Sequence, residues 1–130
     1  MSIVVKPKKK PKKSTLDKKA IALWSKIIRR NGYCERCGKS TGKLDGHHIM
    51  GKKGALRFEL RNGVALCFKC HMLMAHSDSA EEVKKYLKWV EVYKADDWDY
   101  LLSLKNVMVT RSVEWYQDNI QRLQKILEAL

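Results

Sequence analysis

The sequence predicts a small α+β domain: a helix, a zinc-stapled ββα unit, then about three further helices. Three observations carry that reading. The four cysteines form two Cys-x-x-Cys pairs, Cys34/Cys37 and Cys67/Cys70, and all four histidines (His47, His48, His71, His76) lie between Cys34 and His76. Residues 44–49 and 64–66 read as two short strands inside that stretch, with a short helix starting at about Phe68. Elsewhere apolar residues recur at helical spacing.

The length of 130 residues fits one domain with an appendage. No run of about 18 apolar residues exists, so no membrane span is expected. The opening MSIVVKPKKK lacks the apolar core of a secretory signal, so a cytoplasmic, reducing setting is expected. There, paired Cys-x-x-Cys motifs serve as metal ligands rather than disulfides. The formal charge of +13 is uneven: +10 over residues 1–30, +5 over 31–76 and −2 over 77–130. A polyanion docking on the first two-thirds explains this asymmetry; a solubility tail on an ordinary surface is the competing account.

The elements follow in order. Residues 1–13 hold six lysines with Pro7 and Pro11 and are expected to be disordered, because like charges repel and proline blocks helix. A phosphate-binding arm, a solvated tail and a nuclear-import signal all fit. Proximity to the other basic residues favours the first, through Lys8, Lys9 and Lys10. Ser14 followed by Asp17 reads as a helix start. Leu16, Ala20, Leu23, Trp24, Ile27 and Ile28 form its apolar stripe, Lys18, Lys19, Lys26, Arg29 and Arg30 its exposed face, and Asn31-Gly32 its end. Trp24 on that stripe reads as core rather than as a base-stacking residue. Cys34 to Gly38 is a tight knuckle, and residues 50–61 are a loop. The short helix from Phe68 should run through His71 toward His76. Ser77-Asp78-Ser79 caps a helix carrying Val83, Tyr86, Leu87, Val90 and Tyr93. Asp96-Asp97 starts another, with Trp98, Leu101, Leu102 and Leu104. Ser112 starts the last, whose seam of Val113, Tyr116, Ile120, Leu123, Leu127 and Leu130 either packs on the domain or pairs two copies as a homodimer.

The cysteines ask for zinc. Four thiolates in two pairs fill a tetrahedron, so this ion is structural, with no position open for substrate. The histidines are then free. Neighbours on a strand point to opposite faces, so His47 and His48 do not serve one metal without distortion: one can bind a cation while the other reaches a water. His71 and His76 are about 500° apart on an ideal helix, so the helix must loosen before His76 if both bind one cation.

Cys34-x2-Cys37, Asp45-Gly46-His47-His48-Ile49, Asn62 and Leu66-Cys67-x2-Cys70-His71, in that order, resemble the HNH nuclease family with its ββα-metal fold, in the zinc-stapled branch of phage and mobile-element nucleases. The resemblance implies a metal-dependent DNA endonuclease that hydrolyses phosphodiester bonds with one divalent cation. It would act inside a bacterial host cell if phage-encoded. His48 would be the general base, His47 and His71 ligands of the catalytic ion, and Asn62 the residue that holds the loop and orients His48. The family's third histidine ligand commonly follows four residues after the last motif histidine. That position is Ala75 here, so His76, water or a phosphate oxygen competes for the place. Zn²⁺, Ni²⁺ and Mn²⁺ suit imidazole ligands better than Mg²⁺. Lys52, Lys53, Arg57, Arg61 and Lys69 are candidate phosphate contacts. The domain reading is a Lys-rich arm over 1–13, an HNH core with its N-terminal helix over 14–78, and a helical extension over 79–130 packing on the core. The competing function is a zinc-stapled nucleic-acid-binding module that does not cut; it accounts for the cysteines and lysines but leaves His47, His48 and Asn62 without a role.

Overall fold

The computed structural model describes residues 9–130. Residues 1–8 of the expected arm, Lys8 among them, lie outside the described residues. Residues 9–12, with Lys9 and Lys10, are exposed and have no regular structure.

Helix α1 spans Lys13–Ile28 and buries Leu16, Ala20, Trp24, Ile27 and Ile28, the stripe its spacing demands. Its start differs from the expected capping box. The helix begins at Lys13, with Lys12 as N-cap and no side-chain cap bond. The Asp17 carboxylate instead accepts two hydrogen bonds from the Arg57 guanidinium, at 2.7 and 2.6 Å. A bidentate charged pair outcompetes a single cap bond.

Strand β1 (Leu44–His48) pairs antiparallel with β2 (Gly63–Cys67), with Gly46 opposite Ala65, His47 opposite Val64 and His48 opposite Gly63. Alternation puts Gly46, His48, Gly63 and Ala65 on one face and Asp45, His47, Val64 and Leu66 on the other. Helix α1 lies against the first face, and glycine is what lets it come so close. A Cβ on Gly63 would collide with Ile28 and stand 2.7 Å from Trp24; one on Gly46 would stand 2.9 Å from Ser25 Oγ. This side closes into one core with α5 and Phe58. The opposite face forms a second core from Val64, Leu66, the buried cysteines, Met74, Tyr86 and Val90.

After β2 the expected continuous helix breaks. A single α-turn, α2 (Phe68–Cys70), passes into a π-helical turn, His71–Ala75, in which the His76 amide donates to the His71 carbonyl at 2.9 Å. The i→i+5 bond widens the turn. Helix α3 (Ala80–Tyr93) is capped by Ser79, whose hydroxyl accepts from the Glu82 amide. Tyr86 and Val90 are buried, whereas Leu87 and Tyr93, expected on the same apolar face, are exposed. Helix α4 (Ala95–Leu104) begins one residue before the Asp pair; it buries Leu101 and leaves Leu102 exposed.

Helix α5 (Val113–Glu128) is capped by Ser112, which accepts from the Trp115 amide at 3.1 Å. Its seam is covered by α1: Tyr116, Ile120 and Leu123 are buried in the same core as the α1 stripe, with Val113 and Leu127 packed beside it and Leu130 exposed. A partner helix along these residues would have to displace α1. Among the described residues no helix is long and apolar enough to cross a membrane.

Candidate active site and metal centres

Cys34 and Cys37 sit on the knuckle before β1; Cys67 closes β2 and Cys70 ends α2. Gly38, at φ 78°, turns the knuckle back, and its amide donates to the Cys34 carbonyl at 2.8 Å. The four sulfurs lie within 4.8 Å of one another, with Cys37 and Cys67 Sγ at 3.6 Å. A tetrahedron with Zn–S bonds of about 2.3 Å places sulfurs about 3.8 Å apart, so the set fits zinc. Burial pushes the Cys70 thiol up. Burial acts the same way on Cys67, but the Cys70 amide and the neighbouring thiols outweigh it and lower Cys67 to about 7. A bound cation would displace the thiol protons into solvent and leave thiolates as its ligands. Arg36 Nη1 donates to Cys70 Sγ at 3.8 Å, a charged brace on the cluster.

On the Asp45 face of the hairpin, three imidazoles converge. His47 comes from β1, His71 opens the π-turn and His76 follows it. Their ring centroids are 5.0, 4.9 and 4.8 Å apart, each pair edge to face, and one nitrogen of each lies within 4.8 Å of the others. The π-turn is what brings His71 and His76 together. Burial pushes His47 down to about 3, helped by the charges of His71 and His76; burial also lowers His76. His47 therefore keeps a free lone pair at neutral pH, as a metal ligand must. Asp45 Oδ2 stands 3.1 Å from His71 Nδ1. That contact fixes the ring and leaves Nε2 open, the usual carboxylate support of a ligating histidine.

His48 faces the other way. Its ring stacks on Trp24 with centroids 4.0 Å apart and planes 7° apart, and its Nε2 lies 2.9 Å from the Arg57 carbonyl oxygen. A carbonyl only accepts, so Nε2 carries the proton and Nδ1 keeps the lone pair. Burial pushes His48 down to about 4 against the opposing pull of that carbonyl. Trp24 is itself anchored, its indole N–H donating to the Glu59 carbonyl at 3.0 Å. Asn62 is fully buried and ties the 50–61 loop: Oδ1 accepts from the Met50 amide at 2.8 Å, while Nδ2 donates to the Gly51 and Leu56 carbonyls at 2.9 and 3.0 Å.

An open cleft of about 630 Å³ is lined by His47, His48, His71 and His76 together with Lys52. Lys53 is exposed on a different groove, with Gly54 and Arg111, and Lys69 is exposed on α2. Arg57 and Arg61, which sequence position groups with these lysines, are engaged within the chain. Arg57 is paired with Asp17; Arg61 Nε bonds Asp97 at 2.7 Å and its guanidinium lies 3.9 Å above the Tyr100 ring. Those partners are 40 and 36 residues away, beyond what local spacing can reveal.

Residues 34–74 match the model of the HNH endonuclease family. The chain therefore carries an HNH domain; among the described residues the fold is mixed, with five helices, a two-stranded antiparallel sheet and four cysteines positioned for zinc. Comparison with curated proteins and with solved structures returns no match. The HNH match leaves α1, α3, α4 and α5 outside it and stops two residues short of His76. Three contributors to the site escaped sequence reasoning. Trp24 reads as core and is core, yet its inward ring is the platform for His48. Asp45 shares a face with His47 by the two-residue period, a signal that was available. Tyr86 packs edge to face on His47 at 5.3 Å, and its buried hydroxyl has no partner among the described residues.

Proposed function

We propose that the protein is a DNA endonuclease that hydrolyses phosphodiester bonds with a histidine general base and one divalent cation. The observation that carries this is the division of paired histidines. His47 joins His71 and His76 on one face of β1, while His48 stands on the other with a single free nitrogen, and all four line one cleft. A binding module has no use for that arrangement.

His48 Nδ1 takes the proton of the attacking water as the new P–O bond forms and the bond to the 3′ oxygen breaks. Its stack on Trp24 and its bond to the Arg57 carbonyl hold the ring through that transfer. Asn62 fixes the loop that presents this carbonyl. Lys52 lines the cleft and would offer its positive charge to an entering phosphate. His47, His71 and His76 would hold the cation, which supplies positive charge to the phosphate and the departing oxygen. Three neutral imidazoles suit Zn²⁺, Ni²⁺ or Mn²⁺ better than Mg²⁺.

The test is nicking and linearisation of plasmid and branched DNA across these four metals. His48→Ala should slow cutting by about 10² to 10⁴ while DNA affinity and fold persist. His71→Ala and His76→Ala should be partly rescued by added metal, to similar degrees. Wild type that binds DNA and cuts nothing under every metal overturns the nuclease reading in favour of a zinc-stapled binding module.

A further inference from the structure

Helix α1 lies outside the stretch that matches the HNH family, yet it forms one wall of the histidine cleft through Ile21, Trp24 and Ser25. Its outer side carries a second, shallower groove of about 540 Å³. Ile21 and Ser25 line both, so the two grooves are continuous over the edge of the helix.

The sequence builds this groove by spacing. Lys18, Ala22, Ser25 and Arg29 follow i, i+4, i+7 and i+11, which is one stripe along the helix. The small side chains of Ala22 and Ser25 make a low floor; Lys18 and Arg29 stand at the ends and Lys26 at the side. No acidic residue lines the groove. The acid of this helix, Asp17, is neutralised by Arg57. Lys18, Lys26 and Arg29 form no ion pair among the described residues. Arg29 Nε donates to the Ser25 carbonyl at 3.1 Å, which lays the guanidinium along the stripe. Lys18 to Arg29 spans about 16 Å of helix, the length of several consecutive phosphates at about 3.4 Å of duplex axis each.

We propose that this face of α1 is a phosphate-docking track that carries one strand of duplex DNA away from the histidine cleft, through Lys18, Lys26 and Arg29. The occupant rests on the nuclease reading above; the track itself rests on charge complementarity and on continuity with the cleft. A merely solvated helix face would share the lysines but would have no preferred place in DNA binding.

The experiment is a salt titration of binding to a short labelled duplex, with no divalent cation added. The triple variant Lys18→Gln/Lys26→Gln/Arg29→Gln is compared with Lys84→Gln/Lys88→Gln/Lys125→Gln, which removes the same charge from exposed positions on α3 and α5. Each lost phosphate contact lowers the slope of log K against log salt by about 0.9, so the α1 variant should lose about 2 to 3 and the control well under 1. KM for cutting should rise in the α1 variant while the rate at saturating DNA holds. An unchanged slope in the α1 variant, or an equal loss in the control, overturns the track. If the triple variant melts early, Lys18→Gln and Lys26→Gln singly should each cost about 0.9. Wild type that binds with the full slope yet never cuts would sink the nuclease reading and leave the track standing, so the two failures are separable.

Discussion

Asn62→Ala should loosen the site without touching either set of metal ligands. The side chain is fully buried and makes three hydrogen bonds, to the Met50 amide and to the Gly51 and Leu56 carbonyls. Alanine removes all three and leaves a space that its methyl group does not fill. At about 1 to 1.5 kcal/mol per bond the loss is about 3 to 4.5 kcal/mol, a large share of the stability of a domain this size. A drop of about 10 °C or more in the melting midpoint follows. The damage should centre on residues 50–57, because Asn62 is what closes that loop onto the end of β1. Amide exchange at Met50 should accelerate before exchange in β2 does. The Arg57 carbonyl that engages His48 belongs to the same loop, so cutting should fall together with loop order. Asn62→Asp sharpens the test: it keeps an acceptor for the Met50 amide but turns a carboxylate oxygen toward the Gly51 and Leu56 carbonyls, and should be at least as damaging. Calorimetry, amide exchange and plasmid nicking on the same samples provide the readouts. Destabilisation under about 1 kcal/mol, or exchange at Met50 unchanged, would refute the claim that Asn62 closes the loop.

Further outcomes follow from the same geometry. Pure protein should contain one tightly held zinc, and Cys37→Ser should release it and unfold the hairpin, since zinc binding here is folding free energy; a metal count of zero in folded protein contradicts this. Asp45→Asn should weaken the histidine-held cation by about 10- to 100-fold, with activity recovering at high metal and the cysteine zinc unaffected; an unchanged metal titration would show that the Asp45–His71 contact does not orient the ring. Leu123→Asp places a charge in the α1–α5 core and should lower the melting midpoint sharply at constant molecular mass; a halving of mass in solution would show that the α5 seam pairs two copies instead.

The sequence by itself determined what depends on local covalent geometry. Two Cys-x-x-Cys pairs in one stretch specify a four-sulfur cluster. The two-residue period of a strand puts His47 and His48 on opposite faces wherever the strand lies. Ser79 and Ser112 mark helix starts because a short hydroxyl reaches the amide three residues on. Tertiary structure decided what depends on which surfaces meet. Periodicity shows that α5 has an apolar seam but not that α1 covers it. Asp17 sits where a capping carboxylate belongs, yet Arg57, 40 residues away, offers it two bonds in place of one. Trp24 looks like core filling until the glycines of the hairpin let it slide under His48. His71 and His76 are mismatched on an ideal helix. They meet because the backbone between them relaxes into a π-turn, and that turn packs against α3 on the face where His47 waits. A hydrogen-bond shift of one residue has no signature in composition or spacing; only the packed molecule fixes it.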